Sequence, residues 1–491
     1  MQLMDVPFRT SHQFDVTFVS DLEKKYEVNA SMTDTSVKAP KKTFQTKDLY
    51  VGFATSVDST KAYMRAGDLD VNFEGRGYVE TLLAQVDAFT SRAGEQWTSK
   101  TINQEELKTL LPGVCLKATS GNDNPISNYL SMMQGVSFDK LYLDFDTSPE
   151  EGINGEAFLY NMRTDSLLVD TIGIDLKHGD DGLDFLTEVI STAKPNQEAF
   201  EVNLDGNIGN GKAQLLFQYL NARKEKGVYL GANAALGRRG IRMKFFPENP
   251  ILVYRPFHLN ERNYLYLADR GRIYGDVRLF DDQGTGIHFY TNREDTIADQ
   301  EMTVELSRID LKQFKKVLPY LPDVEGWLGG SLHYVDSEGQ MMLSADMNLD
   351  NFVYEKSPLG NWTMSGAYLP GDNNAHHVDG FITYNDQEII YMNGGYQADE
   401  TGQENITGEL ELQHFPLRVI NPFIPEKMVG FTGDIDGTLS MTGSPMKPVL
   451  NGGLQLDSVL MIMPDMSVGF RFDNKQVKMQ DSKMVFDKFN I

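Results

Sequence analysis

The sequence predicts a mainly β chain: a long, curved antiparallel sheet forming an open groove, a β-taco, with a few short amphipathic helices. Three observations carry that expectation. Apolar and polar residues alternate in run after run, which marks strands with one apolar and one wet face. Turn-forming clusters such as DGNIGNGK, DDQGTG, DSEGQ and DETGQ separate the runs. Windows with helical periodicity are short and few.

In chain order, YVETLLAQVDAF predicts the first helix, with Leu82, Leu83, Val86 and Phe89 on its apolar stripe. QEELKTLL and PISNYLSMM predict two shorter ones. KLYLDFDT then alternates as a strand. LDFLTEVI is expected to be helical, with Asp181 and Gly182 before it and Leu183, Leu186 and Ile190 on one face. FEVNLDGNI, MMLSADMNL and GELELQHF alternate again. Between them, DLKQFKKVLPYLP places Leu311, Phe314, Leu318 and Leu321 on one stripe behind the capping residue Asp310.

The clearest pattern lies near the C-terminus, in GFTGDIDGTLSMTGSPMKPVLNGGLQLDSVLMIMP. Phe431, Ile435, Leu439 and Met441 share one face, with Gly433 and Gly437 leaving room beside them. After a turn around Gly443, Ser444 and Pro445, the apolar side resumes with Leu450, Leu454, Leu456, Leu460 and Ile462, while Val459, Met461 and Met463 blur the polar side. Val468 and Phe470 open a third strand.

A repeat joins helix to strands. FKKVLPYLPDVEGWLGGSLHYVDSEG aligns with LRVINPFIPEKMVGFTGDIDGTLSMTG: a short apolar helix, a proline step, a Gly-aromatic-x-Gly step and a strand. The expected segments are 1–195 (strands with short helices), 196–304 (a meander), 305–409 (the first helix-plus-strands repeat) and 410–491 (the second, truncated), together one elongated sheet.

Composition narrows the function classes. The chain has 491 residues, 41% of them hydrophobic and 23% charged, enough for extensive ordered structure. Forty-five basic against 70 acidic side chains give a formal charge of −25, which argues against nucleic acid as a partner. Cys115 is the only cysteine, so no internal disulfide framework exists. No apolar run is long enough for a transmembrane helix, and the opening residues lack the pattern of a secretory signal peptide.

Reactive constellations are hard to find. GNIGNGK fits G-x-x-x-x-G-K, but Ala213 stands where a magnesium-binding hydroxyl belongs, and the surroundings read as a hairpin. His376 and His377 are adjacent in what reads as a polar, solvated loop. The acidic runs LDFDTSPEEG and HGDDGLD lack calcium-loop spacing and read as turns and caps. No catalytic residue, metal ligand or cofactor is assigned, and the sequence predicts no enzyme.

An alternating apolar face without chemistry leaves three architectures. A sandwich would bury it as a core, a barrel would turn it outward to lipid, and an open groove would leave it to hold acyl chains. The eleven residues Phe431, Ile435, Leu439, Met441, Leu450, Leu454, Leu456, Leu460, Ile462, Val468 and Phe470 are the expected lining of such a groove.

The order G-x-x-x-G-x-L-x-x-x-G-S-x-x-x-P-x-L-x-G-x-L-x-L, carried by Gly437, Gly443, Pro448, Gly452 and Leu454, resembles the C-terminal part of TamB-type proteins (translocation and assembly module) of the AsmA-like superfamily. The segment FFPENPILVYRPFHLNERNYLYLADRGRIYGDVRLFDDQGTGIHFY is similar to large TamB-like proteins of Bacteroidetes. The resemblance covers roughly residues 244–491 and is thin before them. It implies a periplasm-spanning protein of diderm bacteria that moves phospholipid between inner and outer membranes. An inner-membrane anchor in the full-length protein and a TamA-type outer-membrane barrel as partner are also implied. Family members begin with an anchor helix and continue beyond FDKFNI, so an internal fragment is expected. The alternative expectation is a structural or adhesin-like β-sandwich whose apolar face is only its core.

Overall fold

A computed structural model describes residues 9–486 apart from 22, 40–41, 46, 165–166, 195–197, 293–298, 319–320, 372–374, 399–403 and 425–427. The chain is mainly β, a long antiparallel sheet that stays open, with few short helices. Most strands follow one another through hairpins and pair with their sequence neighbours, while a few pairings pass over a short strand, as where Tyr26–Ala39 pairs with Leu49–Thr55 and Lys447–Met463 with Gln476–Gln480. Two units form, Met1–Tyr254 and Arg255–Ile491.

In the first unit the register lines up one residue per strand into a continuous row: Phe18, Val28, Phe53, Ala62, Phe73, Leu116, Phe145, Gly155, Leu176, Phe185, Gly206, Leu215, Ala232 and Phe245. One residue along, the row reads Glu27, Ala54, Lys61, Glu74, Cys115, Asp146, Asn154, Lys177, Asp184, Asn207, Gln214, Asn233 and Lys244. A period of two, kept in register from strand to strand, therefore yields one apolar and one polar face. Glycines pair with bulky rings on the apolar side: a Cβ at Gly206 would sit 2.4 Å from the Phe185 ring.

Three helices interrupt this sheet: α1 (Val79–Ser99), α2 (Gln104–Thr109) and α3 (Pro125–Met133). Asn103 caps α2 and Asn124 caps α3 with a full capping box, which is why both start where they do. The α1 helix runs longer than its sequence stripe suggests. Only Leu82 of that stripe is buried, against Gly75 on the apolar face, while Leu83 and Val86 are exposed.

The second unit repeats the two-faced construction. Its apolar row is Ile287, Leu306, Gly330, Met347, Met364, Ile382, Ile390, Leu412, Gly437, Leu454 and Val477. The adjacent row, Glu305, Ser331, Asp346, Ser365, Phe381, Tyr391, Glu411, Thr438, Gly453 and Lys478, is mostly polar.

The repeat read from sequence is also a repeat of bulges. Arg308 and His414 both take positive φ, 48° and 47°, where the ladder slips just before each apolar segment. Asn351 and Ser458 do the same at 51° and 54°, opposite Gly326 and Gly433. Each bulge places an extra residue in one strand and bends it.

The apolar segment of the second copy, Leu417–Phe423, is a 3₁₀ turn and not an α-helix, with Pro422 inside it. Leu417 packs with Leu456, Val459 and Val477, Arg418 lies against Tyr384, and Phe423 stacks on Tyr354 at 4.7 Å. Tyr354, Tyr384 and Val459 share the apolar face but sit on strands that a flat sheet would spread over about 29 Å. Seven residues of 3₁₀ turn rise only about 14 Å. The sheet of this unit therefore bends toward its apolar face, and the segment closes one end of the hollow.

Three sequence expectations are corrected here. LDFLTEVI is a strand, Gly182–Ser191, because Leu183, Phe185, Thr187 and Val189 complete the apolar row of an Asp181–Gly182 hairpin. His376 and His377 lie within the strand Ala375–Tyr384 and not in a loop. The first copy's α4 is a single turn, Leu311–Phe314, and Phe314, Leu318 and Leu321 of its stripe are exposed. GNIGNGK is a hairpin turn, with Asn210 and Gly211 both at positive φ. Pro319 and Pro425 of the repeat, and residues 487–491, lie outside the described residues.

Candidate functional site

The apolar face is the candidate site. Of the eleven residues expected to line it, nine share one face: Phe431, Ile435, Leu439, Met441, Leu450, Leu454, Leu456, Val468 and Phe470. Leu460 and Ile462 do not. The bulge at Ser458 inserts one residue, so Leu460 pairs with Thr432 and Arg471, on the polar side. The same slip moves Val459 and Met461, which had blurred the polar side, onto the apolar face, where Val459 is 3% exposed. A bulge inverts the alternation, and sequence alone does not reveal where it falls.

Burial along this face is uneven. Leu456, which packs with Leu417 of the closing segment, is 7% exposed, and Leu439 and Leu454 on the same face are 7–8% exposed. Elsewhere on the same face, Leu332, Leu343, Met364 and Met392 remain 38–45% exposed. In the first unit Phe14, Val16 and Phe18 on the outer strand, together with Ile174 and Phe217, are exposed as well. A sandwich core would bury such side chains below a few per cent; these look into open space, with aromatic and methionine surface to offer.

Each unit closes one end of its face differently. In the first, Leu82 of α1 fills the notch at Gly75, and Gln104 of α2 meets His178, Nε2 to Nε2, at 2.9 Å. Burial pushes the His178 imidazole pKa down, with Lys108 adding to the effect, which disfavours the charged ring. In the second, the Leu417–Phe423 turn performs the closure. At the opposite end of the same face, Tyr368, His376 and Tyr396 stand on neighbouring strands with ring centroids 5.2 and 5.8 Å apart. Sequence reasoning missed His376 on this face, although it alternates in step with Val378, Gly380 and Ile382.

The polar face is held by cross-strand ion pairs, such as Lys61 with Glu74 and Lys117 with Asp144. The register also brings Cys115, Asp144 and Asp146 together, with potential ligand atoms within 4.8 Å. Lys117 already occupies Asp144 at 2.8 Å, and burial and the Asp146 charge push the Cys115 thiol pKa up. A protonated thiol is a poor nucleophile and a poor ligand. The geometry offers a wide apolar surface and little acid–base chemistry.

Against that geometry, no family model, no curated protein and no solved structure matches this chain.

Proposed function

We propose that this chain shields acyl chains along its apolar faces, as part of a periplasmic protein that transfers phospholipid between the inner and outer membranes. The observation that carries the reading is the continuous apolar face in each unit, left partly open in the second where Leu332, Leu343, Met364 and Met392 stand exposed. Each CH₂ brought onto such a surface is worth about 0.8 kcal/mol, so an acyl chain gains its binding from many equivalent contacts. Equivalence along the row lets the chain slide without a deep trap. The polar face stays in water. The membranes, the periplasmic setting and a TamA-type barrel partner enter through the resemblance of residues 244–491 to TamB-type proteins.

Lipid extraction and native mass spectrometry of the purified protein test the reading. Acyl lipid should co-purify, and Met364→Asp with Met392→Asp should remove most of it. Both side chains are more than 40% exposed, so the fold tolerates the change. Buried positions such as Leu439 and Leu454 are poor test sites, because a charge buried there would destabilise the fold itself. Protein free of lipid, or unchanged lipid content in the double variant, overturns the reading.

A further inference from the structure

Near its end the apolar face of the second unit carries a band of polar groups, with Met341 and Pro370 between them, that the lipid-shielding reading does not use. Tyr334, Leu343, Tyr368 and Val378 form one cross-strand row. Asp336 and His376 each lie one same-face position beyond it, toward the end opposite the Leu417–Phe423 turn. Both carry a buried atom with no hydrogen-bond partner, Oδ1 of Asp336 and Nδ1 of His376. Buried polar atoms are almost always paired, so two orphans at one end of one face call for a partner from outside the chain. The neighbours indicate its character. His376 is stacked on Tyr368 and lies tilted against Tyr396, and the Tyr396 phenol bonds to Glu404. Asp336 lies close enough to Tyr334 for its charge to help push that phenol's pKa up, after burial.

From this placement we infer that the band is a headgroup site for a lipid bearing a primary ammonium group. The Asp336 carboxylate and the tyrosine ring faces receive the ammonium, and His376 donates from its imidazole to the phosphate. The inference rests on the lipid-shielding reading and specifies its ligand. Carboxylates and ring faces favour a cation, whereas an anionic headgroup without an amine would meet Asp336 and Glu404 as like charges. Asp336 and His376 stand three strands apart, about 14 Å along a flat sheet. The bend toward the apolar face shortens that span for inward-reaching side chains.

Equal mixtures of phosphatidylethanolamine and phosphatidylglycerol vesicles with identical acyl chains, incubated with the whole chain and read by native mass spectrometry, test it. Wild type should retain the amine lipid several-fold over the other. Asp336→Asn, nearly isosteric, should bring the ratio to about one without lowering total lipid. His376→Phe, which preserves the ring stack, should lower the enrichment. Phosphoethanolamine without acyl chains should not compete. Bound lipid with a wild-type ratio of one, or an Asp336→Asn protein that keeps the preference, overturns the headgroup site and leaves the shielding reading standing. Competition by free phosphoethanolamine overturns the lipid as source. Absence of any lipid from wild type overturns the shielding reading itself, and the headgroup site with it.

Discussion

At the residue scale, backbone conformation decides which substitutions the sheet accepts. Gly437 has φ of +149°, and a Cβ there would lie 2.2 Å from the Gly453 carbonyl oxygen. Gly443 has φ of +100° with its nearest neighbours at 4.0 Å. Gly443→Ala should therefore cost about 1 kcal/mol from backbone strain alone, and Gly437→Ala more than about 2, read as a shift in urea midpoint. Electrostatics gives a second residue-scale expectation. Burial alone would raise the pKa of Asp170, but Lys194 at 2.5 Å and two bonds from Thr192 hold it at about 2. A depressed carboxylate stabilises the fold above its unfolded pKa and loses that contribution as pH falls through the folded value. Asp170→Asn should cost about 1–2 kcal/mol at pH 7, with the difference from wild type vanishing between about pH 4 and pH 2. A difference independent of pH would exclude the ion pair as its cause.

At the element scale, the segments that close the faces do work that the strands cannot. A helix of 21 residues, α1 reaches about 31 Å, yet only Leu82 of its apolar stripe is buried. Leu82→Ala should open a void above Gly75 and cost about 2–4 kcal/mol, with faster hydrogen exchange confined to α1 and the Leu69–Arg76 strand. Leu83→Ala, at a 63% exposed position, should change stability by less than about 0.5 kcal/mol. Equal effects would show that the helix does not use Leu82 to dock. The two copies of the apolar segment also diverge. Leu417 and Val419 are buried in the second, while Phe314, Leu318 and Leu321 are exposed in the first. Similar bulges precede both, so the difference lies in what each segment finds beneath it.

At the scale of the whole molecule, the consequence of two-faced sheets is apolar surface in the native state. The folded protein should bind an environment-sensitive apolar dye with full native circular dichroism, and a long-chain fatty acid should displace it. A sandwich, whose faces bury one another, would leave the dye dark until unfolding began.

The sequence by itself determined the period, and the period determined the fold class. Alternation in KLYLDFDT or GELELQHF forces a strand with one apolar side, and asparagine–glycine turns force the next strand to return beside it. Short-range signals also located α2 and α3, whose caps are written in Asn103 and Asn124. Long-range register was not legible. LDFLTEVI satisfies helical and strand spacing alike, and only its partners in neighbouring strands settle it. The bulge at Ser458 exchanged Leu460 and Ile462 for Val459 and Met461 on the candidate face, because one inserted residue reverses every side chain after it. His376 looked like part of a solvated loop until Val378, Gly380 and Tyr396 placed it on the apolar face. Which residues are apolar is a local property of the chain; which of them meet depends on hydrogen-bond register between strands, and only the tertiary structure decides that.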